Sequence, residues 1–175
     1  MKMRLAFATL AALTVAACAT SGGGPVVSVP PVSGTAAFRT SDFAWSTAPG
    51  TGRVDGQLTY KSGGHVYSCT GAGVLLTPDT PWVRQRTAIL YRSTDHAALP
   101  AAEVRGRTPP EKNQDYSAYV RHTACDGDGR FSFAGLPDGT WYAITLAKSV
   151  NGAAPDMAIM HRVTTKAGKA VKITF

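Results

Sequence analysis

The chain has 175 residues, and its 18 Lys and Arg against 11 Asp and Glu give a formal net charge of +7. This length suits one domain, and the basic excess is too modest to indicate a nucleic-acid partner. After the first line of the sequence, no segment approaches eighteen consecutive apolar residues, so no later spanning helix is predicted.

The first residues have the pattern of an export signal. Lys2 and Arg4 precede an uncharged apolar run from Leu5 to Ala17, which is too short to span a bilayer but suits a signal h-region. Val15, Ala16 and Ala17 before Cys18 resemble the lipobox of bacterial lipoproteins. The resemblance implies cleavage before Cys18 and a lipid on that cysteine; the alternative is an ordinary signal cleaved at small residues.

This pattern divides the chain into three predicted parts. Residues 1–17 form the lipoprotein signal peptide, residues 18–37 the lipidated cysteine with a flexible tether, and residues 38–175 the folded domain. The tether is rich in Gly, Ser and Pro, which cannot bury enough surface to order themselves. Ala19 is not the Asp that retains lipoproteins at the inner membrane, so the resemblance implies a lipid-anchored outer-membrane protein that faces the periplasm.

From Phe38 onward, short apolar runs alternate with turn signals. The turns are SGG, TGAG, DGDG, PDG and NGAAPD, and the runs between them have the length of antiparallel strands. Seven or eight such strands are typical of a β-sandwich.

One segment has helical signals instead. In TPDTPWVRQRTAILYR, Asp79 or Thr80 can cap, Pro81 suits the first helical position, and Trp82, Val83, Ile89 and Leu90 recur at spacings of seven. These features predict one short helix over residues 81–91. The following residues, 93–114, contain three prolines and little periodicity, so we expect a long surface loop.

The segment Gly127–Leu146, GDGRFSFAGLPDGTWYAITL, carries a family resemblance. A tight Asp-Gly turn, a G-x-F-x-F strand, an L-P-x-G turn and an aromatic strand resemble carboxypeptidase regulatory-like domains. Phe131 and Phe133 project to one face of their strand, whereas Trp141 and Tyr142 project to opposite faces, which predicts a strand covered on both sides. The resemblance implies an all-β, Greek-key sandwich of prealbumin-like type that serves as an accessory, non-enzymatic module.

Cysteine pairing follows from the export signal. With Cys18 acylated, Cys69 and Cys125 are left as a pair in an oxidising compartment, so a disulfide is predicted. The alternative is two buried free thiols. Zinc ligation lacks the companion Cys or His spacing.

Other polar residues suggest no cofactor, metal site or catalytic group. Asp126 and Asp128 resemble the start of a calcium loop, but position twelve is Pro137 rather than Glu, so an Asp-Gly turn is predicted. The four histidines are scattered, although His122 and His161 could converge in space. No serine has a nucleophile-elbow setting, and no acid–base pair stands out.

Basic and aromatic side chains around the predicted helix form a weak candidate for ligand binding. The residues are Trp82, Arg84, Arg86 and Tyr91. The sequence thus predicts a lipid-anchored, non-enzymatic envelope protein with a structural or accessory sandwich. The alternative is a module that binds a cell-envelope glycan or peptide, with membrane contact through the lipid and an envelope polymer or protein as partner; a cryptic enzyme is a third, weaker hypothesis.

Overall fold

The computed structural model describes residues 36–108 and 115–175. The predicted signal peptide, Cys18 and nearly all of the predicted tether lie outside the described residues. The described ranges contain ten strands: β1 (Gly52–Gln57), β2 (Tyr60–Ser62), β3 (His65–Ser68), β4 (Gly73–Pro78), β5 (His96–Pro100), β6 (Arg121–Ala124), β7 (Arg130–Leu136), β8 (Gly139–Ser149), β9 (Met157–Thr165) and β10 (Ala170–Thr174). They also contain helices α1 (Pro81–Tyr91) and α2 (Ala101–Gly106), and 3₁₀ helices at Thr40–Thr47 and Ser117–Tyr119.

The strands pair into two sheets. In the smaller sheet, of order β10-β1-β7, β1 is parallel to β10 and antiparallel to β7. The larger sheet is antiparallel with the order β5-β9-β8-β4-β6, and the β2-β3 hairpin joins it at the end of β8. The predicted all-β sandwich is therefore confirmed. The described residues form ten strands rather than the seven or eight expected, because segments as short as the three-residue β2 also pair with a neighbouring strand.

The core between the sheets is built on the predicted aromatic hairpin. Phe131 and Phe133 of β7 are buried, and they face Trp141 of β8 and its neighbours across the sandwich. Gly56 of β1 lies directly under Phe131, where an added Cβ would come within 2.1 Å of the ring. The close approach of backbone and ring therefore requires glycine at this position.

Strand β8 is covered on both faces, as the sequence predicts. Trp141 and Tyr142 are adjacent and point to opposite sides, and both are 0% exposed. Trp141 belongs to the core between the sheets, whereas Tyr142 packs with residues of the helices. The larger sheet is therefore the middle of three layers.

Helix α1 lies over the outer face of the larger sheet. It occupies the predicted residues Pro81–Tyr91, and the Thr80 hydroxyl, rather than Asp79, caps it by accepting a hydrogen bond from Val83 N at 3.2 Å. Its buried face is Val83, Thr87 and Tyr91. The spacing of seven therefore indicated the helix but not its buried face, since Ile89 is 45% exposed.

The prediction of a long surface loop after α1 was wrong in part. Residues 96–100 form β5 on the edge of β9, and residues 101–106 form α2, which supplies Ala101 and Val104 to the core under the helices. Strand β5 is defined by pairing with a segment more than fifty residues away. Such a long-range partner leaves little local signal in the sequence.

Cys69 and Cys125 form the predicted disulfide across a sequence separation of 56. Both cysteines are buried in the core between the sheets. The bond lies beside the Asp-Gly turn, where Asp126 Oδ1 accepts hydrogen bonds from the backbone N–H groups of Asp128 at 2.9 Å and Arg130 at 2.8 Å. The interpretation of these carboxylates as parts of a turn is confirmed.

Replacing both cysteines by alanine should lower the free energy of unfolding by about 4 kcal/mol, because the bond restricts a long loop in the unfolded chain. Urea denaturation of the two proteins measures the difference. Reductant should destabilise the parent and leave the double variant unchanged. Equal unfolding midpoints for parent and variant without reductant would contradict the prediction.

Candidate functional site

Aromatic rings from three segments meet beside helix α1. The rings belong to Phe38, Phe43, Trp82, Tyr116 and Tyr119, which we call the aromatic cluster. Trp82 is central, with ring centroids 5.4 Å from Phe38 and 5.1 Å from Tyr116, both in edge-to-face geometry. Phe43 is fully buried, whereas Trp82 and Tyr116 are half-buried. The cluster thus has a core side and a solvent side.

Arg86 extends the solvent side of the cluster. Its guanidinium carbon is 5.6 Å from the centroid of the Trp82 ring, within range of a cation–π interaction. Arg86 is four residues after Trp82 on α1, and side chains at this spacing are neighbours on a helix surface. The tryptophan therefore positions the guanidinium toward the adjacent cleft.

This cleft, which we call the α1 cleft, has a volume of about 570 Å³. Its walls come from α1, β4, β6 and the segment between α2 and β6. The lining residues are Leu75, Arg86, Asp115, Tyr116, Ser117, Val120 and His122. The volume is within the range of small-ligand sites, and the lining combines apolar groups with a few convergent polar ones.

Polar groups of the α1 cleft are set for hydrogen bonding. Asp115 Oδ1 accepts from the Ser117 hydroxyl at 2.6 Å and from Ser117 N at 3.0 Å. These hydrogen bonds lower the pKa of the Asp115 carboxyl below its ordinary value, so the group is ionised at neutral pH. A carboxylate, a guanidinium, an imidazole and an aromatic ring thus face one space, a combination that suits a polar ligand with an apolar face.

Two of the four residues predicted to bind a ligand lie at this site. Arg86 lines the α1 cleft, and Trp82 contacts both Arg86 and Tyr116. Tyr91, the last residue of α1, instead points into the core, and burial raises the pKa of its hydroxyl to about 12. Arg84 is bound in an ion pair away from the cleft lining.

Sequence reasoning missed the sheet side of the cleft. Leu75 of β4 and His122 of β6 are direct partners across the strand pair, and both are exposed. Each residue taken alone is an ordinary strand position. Only the pairing of β4 with β6 brings them together, so no local pattern could have identified them.

The ion pair that holds Arg84 is centred on Asp79. The Asp79 side chain is 0% exposed and accepts from Arg84 Nε at 3.0 Å and from Arg162 Nε at 2.8 Å. The hydrogen bond with Asp79 raises the pKa of the Arg84 guanidinium above its ordinary value. Because Arg84 lies on α1 and Arg162 on β9, the carboxylate ties the helix to the sheet. This network has a structural role.

His122 and His161, which could have converged, lie at different places. His122 lines the α1 cleft, whereas His161 lines a different cleft beside β5. Within residues 36–108 and 115–175, no group of three or more His, Cys, Asp or Glu side chains is placed to hold a metal ion. None of the helices in these ranges is long and apolar enough to cross a membrane.

The fold is similar to that of a proposed carbohydrate-binding protein from Pseudomonas aeruginosa. The two share 26% identity over 79% of this chain and 97% of that one, with a TM-score of 0.56. A minor pilin of Streptococcus agalactiae is 18% identical over 75% of this chain and 44% of its own, with a TM-score of 0.32, too low to support an argument. No protein-family model and no curated protein matches the sequence.

Replacing Asp79 by Asn should lower the free energy of unfolding by about 2 kcal/mol, because two arginines lose the buried carboxylate that accepts a charge-assisted hydrogen bond from each. The loss stays moderate because both arginines are partly exposed and remain hydrated. Asp55→Asn is the matched control: its partner Arg53 is exposed, and the loss should be below about 1 kcal/mol. Urea denaturation measures both, and equal losses would contradict the structural role of Asp79.

Proposed function

We propose that this protein is a non-enzymatic, glycan-binding module of the cell envelope, tethered to a membrane by lipid on Cys18. The α1 cleft is the observation that carries the proposal. Its half-buried Tyr116 ring offers an apolar face, while Arg86 and Asp115 offer a donor and an acceptor at its edge. A sugar ring presents the same division, with an apolar C–H face and hydroxyl groups around its rim.

The arrangement suits binding rather than turnover. Asp115 is engaged by Ser117 and ionised, and Arg86 is held by Trp82. A general acid would need a carboxyl whose pKa is raised, whereas the pKa of Asp115 is lowered. The groups are thus placed to hold a polar ligand, and they lack the features of an acid–base pair.

The comparison with the proposed carbohydrate-binding protein supports the same conclusion. The similarity extends over 97% of that protein, so it concerns the whole domain rather than one hairpin. It favours the binding module over a purely structural sandwich. Fold alone does not determine function, so the argument depends on the side chains of the cleft.

The N-terminal residues support an envelope location. The apolar run before Cys18 and the Gly- and Pro-rich residues after it suit a lipoprotein whose domain is held on a flexible tether. With Ala19 after the lipidated cysteine, we place the protein in the outer membrane, facing the periplasm. There the domain would meet peptidoglycan, which is the envelope glycan we propose as ligand.

The full-length protein should co-sediment with insoluble peptidoglycan, and Arg86→Ala should weaken this binding at least about tenfold, equivalent to 1.4 kcal/mol. Arg53→Ala is the matched control, because Arg53 is an exposed arginine of the smaller sheet outside the α1 cleft. Sedimentation at increasing peptidoglycan concentration gives the affinities.

His122→Ala provides a second test that leaves the aromatic cluster intact, since His122 is exposed on β6. It should weaken binding as well. Two results would refute the glycan site. One is equally strong binding by the parent, Arg86→Ala and His122→Ala proteins; the other is no binding by the parent.

Replacing Cys18 by Ser should abolish incorporation of labelled palmitate and release the protein from membranes, since the acyl chains supply the membrane affinity. Labelling in the producing bacterium and membrane fractionation measure both effects. Cys69→Ser, which removes a disulfide cysteine of the folded domain, should leave labelling intact. Continued labelling of the Cys18 variant would refute the anchor.

A further inference from the structure

Two histidines lie side by side in a second cleft. This cleft has a volume of about 330 Å³ and is lined by residues of β2, β5, β9 and β10 and by Phe175, and it includes His96 and His161. It shares no lining residue with the α1 cleft. Whatever it binds is therefore separate from the proposed glycan site.

Strand pairing holds the two imidazoles together. His96 of β5 is the direct partner of His161 of β9. The neighbouring pair is hydrogen-bonded, since Arg162 N donates to the Asp95 carbonyl at 2.6 Å. In an antiparallel ladder the next pair along is then non-hydrogen-bonded, and side chains at such a pair approach most closely. The observed separation of the ring centroids is 6.4 Å.

The hydrogen bonds at Nδ1 fix the same tautomer in both rings. His96 Nδ1 is 2.9 Å from Asp95 Oδ2, and His161 Nδ1 is 2.9 Å from the Arg162 carbonyl oxygen. A carbonyl oxygen can only accept, and an ionised carboxylate has no proton to donate, so it also accepts. Both Nδ1 atoms must therefore donate. In each neutral ring the lone pair is then on Nε2.

This arrangement is the one that metal-binding histidines adopt. A ligating imidazole usually donates its other N–H to a carboxylate or a backbone carbonyl, which sets the tautomer and increases the basicity of the ligand nitrogen. Here one histidine has a carboxylate partner and the other a carbonyl partner. The hydrogen-bond partners that orient two ligating histidines are thus already in place.

The spacing of the rings allows one ion to bind both. Metal–nitrogen bonds of about 2.0–2.1 Å put an ion roughly 3.2 Å from the centre of each ring, so two ligating rings lie up to about 6.4 Å apart. The observed 6.4 Å is at the upper end of this range. His161 is held against Phe175, with ring centroids 5.6 Å apart, whereas the His96 side chain is 74% exposed.

Nearby charges favour a cation. Asp95 adds a negative charge beside His96. The neighbouring Arg162 follows His161 on β9, so its side chain projects to the other face of the strand, where it pairs with Asp79. The ion would therefore lie on the face of β9 opposite this guanidinium.

We propose that His96 and His161 bind one divalent first-row transition-metal ion through their Nε2 atoms, with water completing the coordination. Imidazole ligands suit Cu²⁺, Ni²⁺ and Zn²⁺, and Cu²⁺ binds most tightly in this series. The site lies in the part of the chain that the structure describes and is independent of the glycan proposal.

Calorimetric titration of the full-length protein, purified in detergent without a polyhistidine tag, tests the site with Cu²⁺ and Zn²⁺ salts. We expect one ion per chain, with Cu²⁺ bound more tightly than Zn²⁺. His96→Gln and His161→Gln should each weaken binding at least about tenfold, because each removes one of two ligands. His122→Gln and His65→Gln are the matched controls and should retain the parent affinity.

Two further measurements distinguish ligation from a change in folding. Cu²⁺ should raise the Tm of the parent and of His122→Gln but not that of the two site variants, since binding stabilises only a protein that has the site. Electron paramagnetic resonance of the Cu²⁺ complex should show two imidazole nitrogens. Any of three results would overturn the proposal. The first is that either site variant binds the ion as tightly as the parent, the second is a spectrum with no histidine nitrogen, and the third is an equal loss of affinity in all four variants.

Discussion

The architecture depends on burying both faces of strand β8. Adjacent residues of a strand point to opposite sides, so Trp141 and Tyr142, both fully buried, require a cover on each side of the larger sheet. The smaller sheet supplies one cover through Phe131 and Phe133. The helices supply the other through Phe43 and Val83. A two-layer sandwich would leave Tyr142 exposed, and the helical layer is therefore part of the domain core.

The same layering creates the α1 cleft. The helical layer does not extend over the whole outer face of the larger sheet, and Leu75 and His122 remain exposed where it ends. Asp79 holds α1 to the sheet through Arg84 and Arg162. Because Arg84 is taken up in this network, two arginines only two residues apart have different roles: one fixes the helix, and Arg86 faces the cleft.

The two candidate sites differ in how far the sequence reveals them. The sequence names Trp82 and Arg86 among four weak candidates around the helix, and these two lie at the α1 cleft. Their partners Leu75 and His122 come from the pairing of β4 with β6. His96 and His161 are separated by 65 positions and meet only because β5 pairs with β9. The sequence placed His96 in a loop, so this pair could not have been anticipated.

The sequence by itself determined the features that depend on local chemistry. Period-two alternation and turn residues defined the β7-β8 hairpin, capping signals defined the bounds of α1, and the cysteine count indicated the disulfide between Cys69 and Cys125. Tertiary structure decided the buried face of α1, the strand formed by residues 96–100 and the composition of both clefts. These depend on contacts between segments far apart in the chain, and a side chain brought into contact by strand pairing leaves no periodic signal around its own position.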